Sequence, residues 1–165
     1  MSDLRIVEAG PERIGDLEPL WRALYDHHRG IAEGVAAVRP FEDTWRRRRA
    51  QYEGWLAGED EAALLIAVRD GRAVGYAMLT VGQGPATWDL GEKVAEIETL
   101  SVLGDQRGSG VGAALMEACR RWAVGRGADA IAVGLAHTNN GAQRFYERER
   151  FTPFYFDMVL DLRSR

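Results

Sequence analysis

Glycines at positions 104, 108, 110 and 112, set between a strand-like and a helix-like segment, constrain this chain more than any other feature. The stretch before them, from about Val94 to Val102, has the length and residue types of a long strand. After them, Val111, Leu115, Ala118, Cys119 and Trp122 fall on one face of a helix. A strand that turns through glycines into a helix leaves several backbone N–H groups in one concavity, with the positive end of the helix dipole behind them. That is the outline of a phosphate site. Gly108, Gly110 and Gly112 carry no side chain to obstruct a diphosphate, and Arg107 can add a charge-assisted contact.

Known phosphate loops narrow the reading. A Walker A loop requires Lys and then Ser or Thr after its last glycine, whereas Ala113 and Ala114 follow Gly112. The dinucleotide pattern Gly-x-Gly-x-x-Ala fits Gly108, Gly110 and Ala113. However, the next strand, Ala130 to Ala136, ends without the acid expected for a ribose. A ligand-free structural turn remains an alternative for the loop alone.

The rest of the chain supplies a mixed sheet. Leu4 to Ala9 reads as a short strand, followed by a turn at Gly10-Pro11 and a helix carrying Ile14, Leu17, Leu20, Trp21 and Leu24 that stops near Gly30. Ile31 to Pro40 is a loop, and a second helix runs from Phe41 to about Leu56. Ala62 to Val68 and Ala73 to Val81 form a hairpin about the Asp70-Gly71 turn. A buried strand at Ala130 to Ala136, a helix at Asn139 to Glu149 and a terminal strand or hairpin at Phe151 to Leu160 complete the order β-α-α-β-β-β-α-β-α-β.

At 165 residues the expectation is one domain, 1–165. A formal net charge of −4 argues against nucleic acid or an anionic membrane as a partner. Cys119 is the single cysteine, and His27, His28 and His137 show no ligand spacing, so neither a disulfide nor a metal site is expected. The polar N-terminus and short apolar runs give a cytoplasmic expectation.

Arg107-x-x-Gly110-x-Gly112, following Glu98-Thr99-Leu100-Ser101-Val102, resembles the acetyl-CoA signature of the GNAT superfamily of N-acetyltransferases. Downstream, Asn139-Asn140-Gly141-Ala142-Gln143-Arg144-Phe145-Tyr146-Glu147 through Phe151 is similar to that family's Asn-x-x-Ala-x-x-aromatic-Tyr-Glu segment. The resemblance implies an α/β fold. Its mixed, mostly antiparallel sheet would have six to seven strands, splayed at the fourth and fifth and flanked by about four helices.

It also implies a site. The backbone of Arg107, Gly108, Ser109, Gly110, Val111 and Gly112 would take the CoA pyrophosphate, and the edge at Leu100, Ser101 and Val102 the pantetheine arm, with the Ser101 side chain free to vary. Asn139 would lie near that arm or simply cap its helix, and the two are compatible. Tyr146 matches the family's general acid, and Glu98 its acidic base. Glu96, two residues earlier, would share the Glu98 face. Arg150 departs from the family pattern, which has glycine there, and implies a strained turn.

The expected activity is direct acetyl transfer from acetyl-CoA to a primary amine, small-molecule or peptide, in a ternary complex. The alternative is a non-catalytic acyl-CoA sensor or interaction module. Trp45, Trp88 and Tyr155 are candidates for an aromatic acceptor wall, against the alternative of core packing. The His27-His28 pair reads as a solvated helix end, Arg46 to Arg49 as a solvated face and Cys119 as a structural thiol. The apolar run Phe154 to Leu160 could pair with a second copy, giving a homodimer.

Overall fold

Proline decides how the first helix begins. Pro19 has no N–H, and its ring would collide with the carbonyl four residues back, so an α-helix can accept it only in its first turn. The computed structural model, which describes residues 3–32, 34, 36–58 and 61–163, accordingly splits the expected helix. Pro11–Leu17 forms a 3-10 helix, and α1 runs from Glu18 to Ile31. The α2 helix spans Phe41–Ala57. On its surface Arg46 and Arg47 pair with Asp43, and Arg49 pairs with Glu53, while Arg48 stacks 5.1 Å from the Trp21 ring. The arginine run is therefore a paired helix face.

Five strands make one sheet in the order β1-β2-β3-β4-β5: Leu4–Ala9, Ala62–Arg69, Arg72–Gln83, Lys93–Val102 and Ala130–Val133. The first four pair antiparallel, and β5 runs parallel to β4. Asp70 and Gly71, at φ +51° and +75°, form the hairpin turn that the sequence signals. Two apolar layers cover the sheet, which is why β2 is apolar without alternation. Ala63, Leu65 and Ala67 face α3 (Val111–Gly125), and Leu64 and Ile66 face α1 and α2.

A bulge in β4 sets the site's geometry. The ladder steps from Met78 opposite Thr99 to Leu79 opposite Ile97, leaving Glu98 without an opposing residue. Ala95 and Ile97 consequently pack on the α3 side. Thr99 and Ser101, which would otherwise share their face, point to α1 and α2: Tyr52 donates to Thr99 Oγ1 at 2.6 Å, and Ser101 Oγ donates to the Leu20 carbonyl at 3.0 Å.

Two expectations are corrected. The strand expected at Ala130 to Ala136 ends at Val133 and is only half-buried. The terminal strand or hairpin at Phe151 to Leu160 does not form among the described residues, so the sheet has five strands rather than six to seven. Pro153 removes a donor as the chain leaves the last helix, and no ladder partner lies alongside, so Phe156, Met158, Val159 and Leu160 stay exposed.

That last helix, α4 (Asn140–Arg148), closes with a Schellman motif: the Phe151 N–H bonds the Tyr146 carbonyl at 2.9 Å and the Arg150 N–H bonds that of Glu147 at 3.0 Å. Arg150 holds the left-handed position at φ +69°, the strained turn implied by its sequence. Arg150→Gly is expected to stabilise the protein by about 0.5–1 kcal/mol, the relieved strain less the added freedom of glycine in the unfolded chain. A raised urea midpoint at unchanged m-value would show it.

Candidate functional site

The glycine loop presents an open row of donors. Gly108 and Gly110 adopt φ +73° and +85°, and a Cβ on either would meet nothing within 4 Å. Gly110 is the N-cap of α3, and no side chain caps that helix. None of the N–H groups from Gly108 to Ala113 donates within hydrogen-bond geometry to a protein acceptor among the described residues. Backbone donors at a helix N-terminus with empty space before them suit a diphosphate. Arg107 is exposed, and its Nε donates to the Val102 carbonyl at 3.4 Å, over the end of β4.

Gly112 has a different task. A Cβ there would come 3.1 Å from the Phe145 ring, so this glycine lets α4 pack against α3. The Val111 side chain is likewise buried in the core, leaving only its backbone to the loop. Sequence reasoning missed Arg69, the last residue of β2. Its Nη1 donates to Gln106 Oε1 at 2.7 Å and to Ser109 Oγ at 2.9 Å, and its Nη2 to the Ser109 carbonyl at 3.3 Å. These bonds hold the loop's shape from behind and leave its amides free.

Beside the loop, β4 and β5 part company. Their parallel ladder covers Val94–Ile97 against Ala130–Val133, so the β4 edge from Glu98 to Val102 has no strand partner. Such an edge is a template for an extended, amide-bearing arm. Leu100 and Val102 turn their side chains to the α3 layer. The Ser101 side chain is not free to vary as expected, because its buried hydroxyl ties β4 to α1.

Tyr146 is 6% exposed, gripped edge-on by Phe145 and Phe151 at centroid distances of 5.1 and 5.2 Å. Burial, and then the nearby Cys119, push its phenol above the ordinary tyrosine value. It is therefore a neutral O–H at any physiological pH. Burial pushes the Cys119 thiol itself up to about 12, consistent with a structural role. Asn139 caps α4, its Oδ1 accepting from the Ala142 N–H at 3.2 Å. The same oxygen lies 3.2 Å from His27 Nε2, which must then donate. His27 is thus a tie between α1 and α4 rather than a solvated end. Half-buried His28 is held below its usual value by desolvation and by the charges of His27 and Arg48.

The two β4 carboxylates meet at Thr80, on the α2 face. Thr80 lies opposite Glu96 in the ladder, and its hydroxyl donates to Glu98 Oε1 at 2.7 Å. Desolvation, and then the Glu98 charge, raise the Glu96 carboxyl above its ordinary value. Glu96 lines a cleft of about 710 Å³, together with Thr80, Trp55, Trp88, Phe154 and Tyr155. Of the expected aromatic wall, Trp88 and Tyr155 are present in this cleft, whereas Trp45 is buried in the core under α1 and α2. Trp55 and Phe154 join it unforeseen, since α2 periodicity assigns Trp55 no special face.

Among the described residues no helix is long and apolar enough to cross a membrane, and no group of three His, Cys, Asp or Glu could hold a metal ion.

Comparison with known proteins matches residues 21–150 to the model of the acetyltransferase (GNAT) family. An uncharacterized N-acetyltransferase of Archaeoglobus fulgidus is 32% identical over 133 residues, covering 79% of this chain and 83% of that protein. An aminoglycoside N(6')-acetyltransferase of Klebsiella aerogenes is 32% identical over 114 residues, covering 67% and 74%. Among solved structures, an aminoglycoside N-acetyltransferase in complex with CoA superposes with a TM-score of 0.72 over 99% of this chain and 97% of that one. At 19% identity the likeness is one of fold.

Proposed function

The chain belongs to the acetyltransferase (GNAT) family, and from that premise we propose that it moves the acetyl group of acetyl-CoA directly to a primary amine in a ternary complex. The observation that carries this reading is the row of unpaired N–H groups from Gly108 to Ala113, beside the unpaired β4 edge. In this reading the backbone of Arg107 to Gly112 holds the pyrophosphate, with the Arg107 charge beside it. Leu100 to Val102 pair with the pantetheine amides, and Asn139 borders that arm through the helix it caps.

An alkylammonium of pKa ~10 must lose a proton before its nitrogen can attack. The Glu96–Glu98 pair accepts that proton, directly or through water, and the raised Glu96 carboxyl supports a part for Glu96 as base. The nitrogen then bonds to the thioester carbonyl carbon, gives its second surplus proton to solvent, and the C–S bond breaks; the carboxylate passes the first proton on to solvent. The departing sulfur takes the Tyr146 phenol proton, and solvent returns a proton to the phenolate.

An amine panel assayed for CoA release tests the proposal. With at least one primary amine, CoA is expected to appear faster than by hydrolysis alone, together with the N-acetylated product. Calorimetric binding of acetyl-CoA without transfer to any amine would replace the enzyme by an acyl-CoA sensor.

A further inference from the structure

We infer that the acceptor is a monoamine with a flat aromatic body, its ammonium held at Glu96 and its ring lying among Trp55, Trp88, Phe154 and Tyr155. The inference rests on the acceptor site proposed above and names its substrate class. It starts from the chemistry of the cleft. Of the residues lining the cleft, Glu96 alone is charged, so one carboxylate is available for one cation. The other side chains are aromatic or apolar apart from Thr80, Gln83 and Thr87. A volume of about 710 Å³ accommodates a small molecule.

The aromatic groups form two walls. Trp88 meets Phe154 edge to face, with centroids 5.7 Å apart and planes at 83°. Trp55 is braced from below by Tyr52, 6.0 Å away at 35°. Trp88 and Tyr155 remain 54% and 74% exposed, an unusual investment of aromatic surface in water unless a ligand covers it. Rings lining one cleft favour a further ring by offset or edge contact, and their π faces add attraction for an ammonium already drawn to Glu96.

The same inventory disfavours a polycationic, polyhydroxylated acceptor of the aminoglycoside kind. Each additional ammonium would need a carboxylate, and each buried hydroxyl a hydrogen-bond partner. Beside Thr80, Gln83, Thr87, the Tyr155 hydroxyl and two indole N–H groups, the lining supplies one countercharge, Glu96, which leaves further ammonium groups unpaired. The likeness to aminoglycoside enzymes is one of fold and sequence and does not by itself fix the acceptor.

The test is calorimetric titration of the CoA-saturated protein with 2-phenylethylamine, n-butylamine and kanamycin, with CoA release from acetyl-CoA followed in parallel. Phenylethylamine is expected to bind at least about tenfold more tightly than either competitor. Trp88→Ala should erase that preference, weakening phenylethylamine more than butylamine, while leaving acetyl-CoA affinity unchanged. Glu96→Gln should weaken phenylethylamine and leave its neutral analogue 2-phenylethanol unaffected. Equal affinities, tighter binding of kanamycin or an unaltered preference in Trp88→Ala would overturn the inference. Binding reads out the acceptor class whether or not turnover occurs, whereas absent CoA release would count against the proposed transfer alone.

Discussion

A Tyr146→Phe protein is expected to bind acetyl-CoA as the parent does and to lose turnover by roughly 10²–10⁴-fold, the usual worth of a positioned general acid. The substitution removes one oxygen from a ring whose place is fixed independently of it. Phe145 and Phe151 hold the ring edge-on, and the Schellman motif fixes the backbone of Tyr146 and Phe151. Packing and the donor loop are then undisturbed, and the loss falls on kcat.

A buried phenol raised above its ordinary value is a weak acid, and a thiolate in water, with pKa ~8.5, would be a poor base for it. The dry surroundings change both partners. Cys119, beside Tyr146, shows what burial does to a thiol here, pushing it up to about 12. Exclusion of water disfavours a thiolate as it does a phenolate, so the proton passes as the C–S bond breaks and not to a free thiolate. Because the folded-state value is raised, Tyr146 keeps its proton as pH climbs, and kcat should show no basic limb from this residue below pH ~10. Stopped assays of CoA release with calorimetric Kd values check both parts. Unchanged kcat would remove Tyr146 from the chemistry, and a matching rise in Kd would make its role structural.

Local chemistry made parts of this molecule legible in sequence. Asp70-Gly71 announced its turn because few residue pairs tolerate two successive positive φ values. Gly108 and Gly110 announced the donor loop for the same reason. Gly112 looked identical to them in sequence, yet it serves the Phe145 contact, which only the packing of α4 on α3 reveals. The bulge at Glu98 was hidden because Ala95, Ile97, Thr99 and Ser101 alternate as though they shared one face. Arg69 was hidden because its partner Ser109 lies 40 positions away and no periodicity links them. The arm after Phe151 has a strand's composition but lacks a neighbour to complete a ladder, and composition cannot supply a partner.

Gly110→Val is expected to raise the Kd for acetyl-CoA by about 10²-fold or more, equivalent to roughly 2.7 kcal/mol. Two effects add. At φ +85° a β-branched residue is strained, so the loop drifts toward backbone shapes that scatter its N–H groups. The new side chain also occupies the open space in front of those groups, where the diphosphate is proposed to lie. Charge-assisted hydrogen bonds contribute about 1.5–3 kcal/mol each, so losing even one or two reaches the expected size. The valine meets no protein atom within 4 Å of its Cβ, so the core under α3 should survive and ligand-free stability should fall only by the local strain. Gly112→Val provides the contrast. Its Cβ would press on the Phe145 ring, so it should lower the melting temperature first and weaken acetyl-CoA only through the displaced α4. Calorimetric titration and thermal melts of both proteins separate the cases. Full affinity in Gly110→Val would show that the loop amides do not hold the donor, because the substitution acts on the loop and on little else.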